Sequence, residues 1–186
     1  MFIFTDIFEG FKLTRKLAAV LKKIVLLSDT HGYIDEHILK FCKEADEIWH
    51  GGDWGADVNE KLEHLRKPIQ GVYGNIDGQK IRAIYPEINR FECEGLKVII
   101  KHIGGYPGHY AAGVKPVLKT EKPGMFISGH SHILKVIRDT EIQGLLHLNP
   151  GAAGIQGFHK IRTMLNFKID NGKVFDMNVI ELGLRG

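Results

Sequence analysis

The chain has only two cysteines, Cys42 and Cys93, far apart and in no CxxC pair. Both stand in apolar-periodic segments, so they read as buried free thiols of a protein in a reducing, cytoplasmic compartment. No run of about 18 apolar residues occurs, which excludes a transmembrane helix. Charge of one sign is scarcely in excess, since 25 Lys+Arg against 22 Asp+Glu leaves +3. With no Lys/Arg cluster and no basic, aromatic-lined groove in the sequence, specific nucleic-acid binding is not expected and a nuclease is disfavoured. Repeats and low-complexity linkers are absent as well, so the chain reads as one α/β domain behind a short extension.

The extension is MFIFTDIFEGFKLTRKLAAVLK, residues 1–22. Asp6 and Glu9 break its apolar opening and no small-residue cleavage site follows, which argues against a signal peptide. Leu13, Leu17, Val20 and Leu21 fall at helical spacing between basic residues. An amphipathic helix is therefore expected, docking on its own domain or on a second copy in a homo-oligomer. The domain proper is placed at residues 23–186.

KKIVLLS (22–28) reads as a fully buried first strand. IDEHILKFCKEA follows as a helix with Ile34, Ile38, Leu39, Phe41 and Cys42 near one face. DEIWHGGD (46–53) reads as a strand, VNEKLEHLRK (58–67) as a helix and PIQGVYGNID (68–77) as a third strand. The β-α-β-α-β order predicts a parallel sheet with crossover helices. Beyond residue 88 the texture changes to short apolar segments separated by Gly, Asn or Asp, with little helix. These read as mostly antiparallel strands packed on the first half as a second sheet.

Polar residues recur where the strands end: Asp29 and His31 in SDTHG, Asp53 in GGD, Asn75 in GNID, His102 in IIKHIGG, His130 and His132 in SGHSH. In an open α/β sheet the carboxyl ends of parallel strands open into one crevice, so these segments are expected at one edge. Asp29 with His31, and His130 with His132, are two apart, so in extended chain each pair faces one side. Carboxylates crowded together repel unless a cation joins them, and a cluster of Asp, Asn and four His points to metal binding. Each motif alone is a common turn; their joint occurrence after apolar strands is what carries weight. His37 and His64 sit in helical patterns, His50 reads as a supporting neighbour of the GGD loop, and His147 and His159 carry no spacing signal.

These motifs, with LNPGA at 148–152, resemble the calcineurin-like metallophosphoesterase superfamily, and more closely its small YfcE-type phosphodiesterase branch. The resemblance runs from residue 22 to about 181. It implies a four-layer α/β/β/α sandwich of two mixed sheets. It also implies one metal held by Asp29, His31, Asp53 and His132, and a second held by Asp53, Asn75, His102 and His130. The mixed nitrogen and oxygen donors suit transition metals, manganese foremost, with iron, zinc or nickel as alternatives, better than magnesium or calcium. Two such ions about 3.5–4 Å apart clamp phosphate oxygens and turn water into a nucleophile for in-line attack.

Two departures from the family pattern bear on the reaction. Phosphomonoesterases of the superfamily read GNH at the third motif, where the His protonates the leaving group; here Ile76 follows Asn75. That argues for small phosphodiesters as substrates rather than general phosphatase activity. An imidazole placed at 76 would find Asp77 beside it as an orienting partner. The second departure is KHIGGYPGHY, where a His-Gly-His loop is usual. Tyr106, His109 and Tyr110 are expected to shape the substrate side, with His109 as a replacement acid. Asp53, Asn75, His102 and His109 are thus the candidate catalytic residues. The competing reading is a non-catalytic scaffold, because the retromer subunit related to this family uses the same fold for protein binding.

Overall fold

The computed structural model describes residues 21–158 and 160–185. The expected amphipathic helix over Leu13, Leu17 and Val20 lies outside these residues, as does His159. In chain order the elements are β1 (Lys22–Leu27), α1 (Glu36–Glu44), β2 (Glu47–His50), α2 (Val58–Glu63), β3 (Ile69–Gly71) and α3 (Gln79–Ile84). Then come β4 (Ile88–Cys93), β5 (Leu96–Lys101), β6 (Gly105–Tyr106), β7 (His109–Tyr110), α4 (Val114–Glu121) and β8 (Met125–Ile127). The chain closes with β9 (Lys135–Arg138), β10 (Leu146–Asn149), β11 (Ile161–Asp170) and β12 (Lys173–Leu184).

Strand alternation builds the layers. In β1, Ile24 and Leu26 point inward between two sheets, where they meet Trp49, Val98, Ile100, Met125, Ile127 and Leu148. Val25 and Leu27 point the other way, under α1 and α2, onto Ile38, Cys42, Val58 and Leu62. On the far side of the second sheet, Ile99 and Phe126 pack against Val114 and Leu118 of α4. The result is the expected α/β/β/α sandwich. Each fully buried aliphatic side chain contributes roughly 1.5–3 kcal/mol, so the seam between the sheets and the layer under α1 and α2 both contribute substantially to cohesion.

Local signals set the turns. Asp35 caps α1, accepting the Ile38 N–H at 2.9 Å. Asn171 and Gly172, with φ of 47° and 73°, make the tight hairpin between β11 and β12. Cys42 and Cys93 are buried and unpaired, and burial raises their thiols to about 12 and about 11.

Several sequence expectations need correction. Lys22 and Lys23 are not buried, so only the apolar part of β1 is enclosed. The second sheet, ordered β4-β5-β8-β10-β9, is parallel at its centre, where β8 runs parallel to β5 and to β10. The last two strands return to the first sheet, ordered β12-β11-β1-β2-β3, and β11 runs antiparallel to β1. An apolar run does not say which neighbour will take its backbone hydrogen bonds. Two short helices were also missed. QKIRAI of α3 is too short to show a helical period, and α4 carries Pro116, which its first turn tolerates.

Candidate metal centre

The six parallel strands of both sheets end on the same side, and every polar motif sits just beyond one of them. The loop after β1 brings Asp29 and His31, that after β2 brings Asp53, and that after β3 brings Asn75. The loop after β5 brings His102, and the loop after β8 brings His130 and His132. All seven meet. Asp29, His31 and His132 form one triad and Asp53, His102 and His130 another; within each, the donor atoms lie within 4.8 Å of one another.

The pairs do not meet as extended strand would place them. Asp29, His31, Asp53, His130 and His132 have φ of 54°, 48°, 56°, 64° and 57°. This left-handed backbone costs an L-residue about 1–2 kcal/mol each, and such strain collects at functional sites. Its effect is to split His130 from His132, which serve different triads. Hydrogen bonds between loops hold the strained turns: Asp29 N–H donates to Gly52 O at 2.9 Å and His31 N–H to Asp53 O at 3.1 Å. Gly74 permits the closest approach, since a Cβ there would sit 2.0 Å from Asp53 Oδ1.

Two contacts tie the triads together. Asp53 Oδ2 lies 3.3 Å from His102 Nε2 and 3.8 Å from His31 Nε2. Asp29 Oδ1 lies 3.2 Å from His132 Nε2 and 4.0 Å from His102 Nε2. His31 and His132 face each other through their Nε2 atoms at 3.3 Å. Asn75 Oδ1 stands 3.2 Å from His102 Nε2, which puts Asn75 on the second triad.

The donor set itself asks for positive charge. His102 Nδ1 gives its proton to the carbonyl of Gly51 at 2.8 Å, so in the neutral ring the Nε2 lone pair faces the acceptor-only Asp53 carboxylate. Only a proton or a cation reconciles two acceptors at that distance. Without a cation the proton answers: burial alone would lower His102, but its bond to Asp53 and the charges of Asp29 and Asp53 raise it above the ordinary imidazole value. His31 moves the other way, because its burial outweighs both carboxylates. Asp53 is held low despite burial, by its bond to His102 and the Ile76 N–H. The residues present therefore fit divalent cations.

A supporting layer surrounds the triads. Ser28 donates to Asp29 Oδ2 at 2.6 Å, and the His130 N–H reaches the same carboxylate at 3.1 Å. His50 is no free donor atom: its Nδ1 accepts from Gly52 N–H at 3.1 Å, its Nε2 meets Thr30 Oγ1 at 3.0 Å, and its ring stacks on Trp54 at 3.7 Å. Burial, then the neighbouring charge of His102, holds it neutral. Asn149 completes the Asn-Pro-Gly turn, donating to Gly129 O at 2.9 Å and Ser131 Oγ at 3.1 Å.

Three residues escaped sequence reasoning in their actual roles. Asp77 is buried and accepts from the amides of Trp54 (2.9 Å), Gly55 (3.2 Å) and Gly74 (2.7 Å), locking the GGD loop to the GNID loop. Its carboxylate is spent there, which overturns the expectation that it could orient an imidazole at position 76. Arg185 lies against His132, with Nη1 at 3.3 Å from Nδ1; nothing in its surroundings in sequence marks it. His147, read as featureless, is wholly buried with neither ring nitrogen hydrogen-bonded among the described residues. His109 belongs to neither triad; it stands exposed on β7, its ring 5.0 Å from that of Tyr106. Ile76 is 48% exposed at the rim.

Residues 23–172 match the calcineurin-like phosphoesterase superfamily domain. The chain belongs to that superfamily. It is 29% identical over 161 residues to a probable metallophosphoesterase of Mycoplasma pneumoniae, covering 83% of this chain and 94% of that one. Among solved structures, a Streptococcus pneumoniae protein described as a predicted phosphoesterase superposes with a TM-score of 0.67 at 23% identity, over 88% of this chain and 91% of that one. Wild-type Vps29 of Entamoeba histolytica, solved with zinc, superposes with a TM-score of 0.62 at 15% identity, over 86% and 98%. These two structural likenesses concern the fold. No helix among the described residues is long and apolar enough to cross a membrane.

Proposed function

We propose that this chain is a dinuclear phosphodiesterase that hydrolyses small phosphodiesters. The observation that carries the reading is the pair of interlocked triads, in which four imidazoles and two carboxylates converge with Asp53 between them. Asp29, His31, Asp53 and His132 would hold one ion, and Asp53, Asn75, His102 and His130 the other. The preponderance of imidazole favours manganese, with iron, zinc or nickel also suited, over magnesium or calcium. When bound, such ions supply the positive charge that neutralises phosphate and acidifies water for in-line attack.

The chain's own contribution is positional. Ile76 N–H and Asp77 fix the two loops that present Asp53 and Asn75, and the Gly51 carbonyl sets which nitrogen of His102 faces inward. Ile76 offers no proton, so the leaving oxygen must be acidic, as in aryl diesters, or be served from the β6–β7 hairpin by His109. The test is elemental analysis of the metal-reconstituted protein with rates on bis(4-nitrophenyl) phosphate and on alkyl phosphomonoesters. Two ions per chain and a preference for the diester are expected. Two ions with no hydrolysis of any ester would favour the scaffold reading, and preference for alkyl monoesters would refute diester specificity.

A further inference from the structure

A cavity of about 210 Å³ opens beside the second triad, with His130 shared between the two. Its walls include Tyr106 and His109 of the β6–β7 hairpin, Ser131, and Lys135 of β9, and His147 of β10 lies at its back. The register puts His147 beside Phe126 of β8, on the outer face of the second sheet, where Ile99, Ile142 and Leu145 make an apolar layer. A leucine or phenylalanine would satisfy that packing. The chain instead places an imidazole there, 0% exposed, with Nδ1 and Nε2 both lacking a partner among the described residues. Buried polar atoms left unpaired are penalised, so such a group asks for a ligand that reaches it.

The charge of the cavity indicates what that ligand is. None of its lining residues is Asp or Glu. The Lys135 ammonium lies 4.1 Å from the Tyr106 ring centroid, close enough for a cation–π contact that still leaves its N–H groups free for an anion. Asp139, the carboxylate nearest in sequence to β9, is turned to the Tyr110 hydroxyl and the amides of Glu141 and Ile142. Lys135, His109, Ser131 and His147 all have hydrogens to donate.

Resting on the phosphodiesterase reading, we infer that this cavity is a specificity subsite for an ester arm carrying a second anionic group, such as a carboxylate or a second phosphate. The reacting phosphate would lie on the triads while the arm passes His130, stacks along Tyr106, and ends between Lys135 and His147. Pockets of this kind use an apolar wall with a few convergent polar groups to fix orientation.

The test compares 4-nitrophenyl phenyl phosphate with its 4-carboxyphenyl counterpart, which share the same leaving group. The carboxylate is expected to raise kcat/KM about tenfold, a ratio equivalent to one tenfold step in affinity. His147→Leu and Lys135→Met should each bring that ratio close to one. His147→Leu should do so without lowering Tm, since it removes unpaired buried polar atoms. In metal-free protein, the imidazole ¹⁵N signals of His147 should move on titration with 4-carboxyphenyl methyl phosphate and stay still with phenyl methyl phosphate. Equal kcat/KM for the two esters in wild type, an unchanged ratio in both variants, or unmoved His147 signals would each overturn the subsite. Failure to hydrolyse either ester would instead refute the phosphodiesterase reading, and the titration would still decide the cavity.

Discussion

The two triads are built from the same residue types yet differ in enclosure. Asp29, His31 and His132 are buried or half-buried, with Ser28 on the carboxylate and Arg185 on His132. In the second triad Asp53 and His102 are both buried, but His130 is exposed and borders the cavity beside it. One triad is closed by the chain's own cation; the other faces outward. The difference teaches which side a substrate would meet first. It also shows that ligand-type residues alone do not describe a site: what holds and covers them separates its halves.

The largest effect should come from the residue the triads share. Asp53→Asn replaces a carboxylate set between them with a neutral amide, and both ions should be lost together, with activity falling more than about 100-fold. Elemental analysis distinguishes this from loss of one ion only; retention of two ions at the normal rate would show that Asp53 does not bridge. His37→Ala, on an exposed position of α1, and His64→Ala, at the exposed C-cap of α2, serve as controls expected to change neither.

Asp77→Ala should sharpen the contrast, because it frees three amides that tie the Asp53 and Asn75 loops. A loss of about 10–100-fold in metal affinity is expected. The loss should be larger for the second ion, which depends on both loops, than for the first, which depends on the Asp53 loop alone. It is read as unequal shifts of the two binding phases. Equal weakening of both ions would make Asp77 a general stabiliser of the fold.

Ser28→Ala is the counterpart on the enclosed side. Losing the 2.6 Å bond to Asp29 should weaken the first ion by about tenfold, at the low end of such supporting contacts, and leave the second in place. Metal titration followed by calorimetry would show one of two binding phases moving; movement of the other phase would reverse the assignment.

Arg185→Met should have the smallest effect, and in the opposite direction. A guanidinium can only donate, whereas His132 binding a cation through Nε2 needs its proton on Nδ1, the atom Arg185 faces at 3.3 Å. Removing that opposed charge should tighten the first ion a few-fold. Weaker binding in the variant would show that Arg185 supports the triad instead of competing with it.

Much of this was legible in advance, and for identifiable reasons. Strand β1, helix α1 and the GGD and GHSH loops announce themselves by contiguous patterns: apolar runs, an Asp cap, glycines where close approach is needed. The convergence of the six triad residues and Asn75 was legible because each lies in a loop that follows an apolar strand. Asp77, Arg185 and His147 were not, because their importance lies in partners, or missing partners, far away in sequence. Asp77 bonds to amides 22 and 23 residues earlier, and Arg185 meets a histidine 53 residues away.

The sequence by itself determined the residue types that converge, the β-α-β-α-β start and the absence of an acid at position 76. These are local properties, written in periodicity, turn chemistry and residue identity. Only the tertiary structure decided that β11 and β12 return to the first sheet, that left-handed turns send His130 and His132 to different triads, and that His147 lies unpaired behind a cavity. Strand partners, turn handedness and buried polar atoms depend on which distant segments meet, and that is settled by packing across the whole chain.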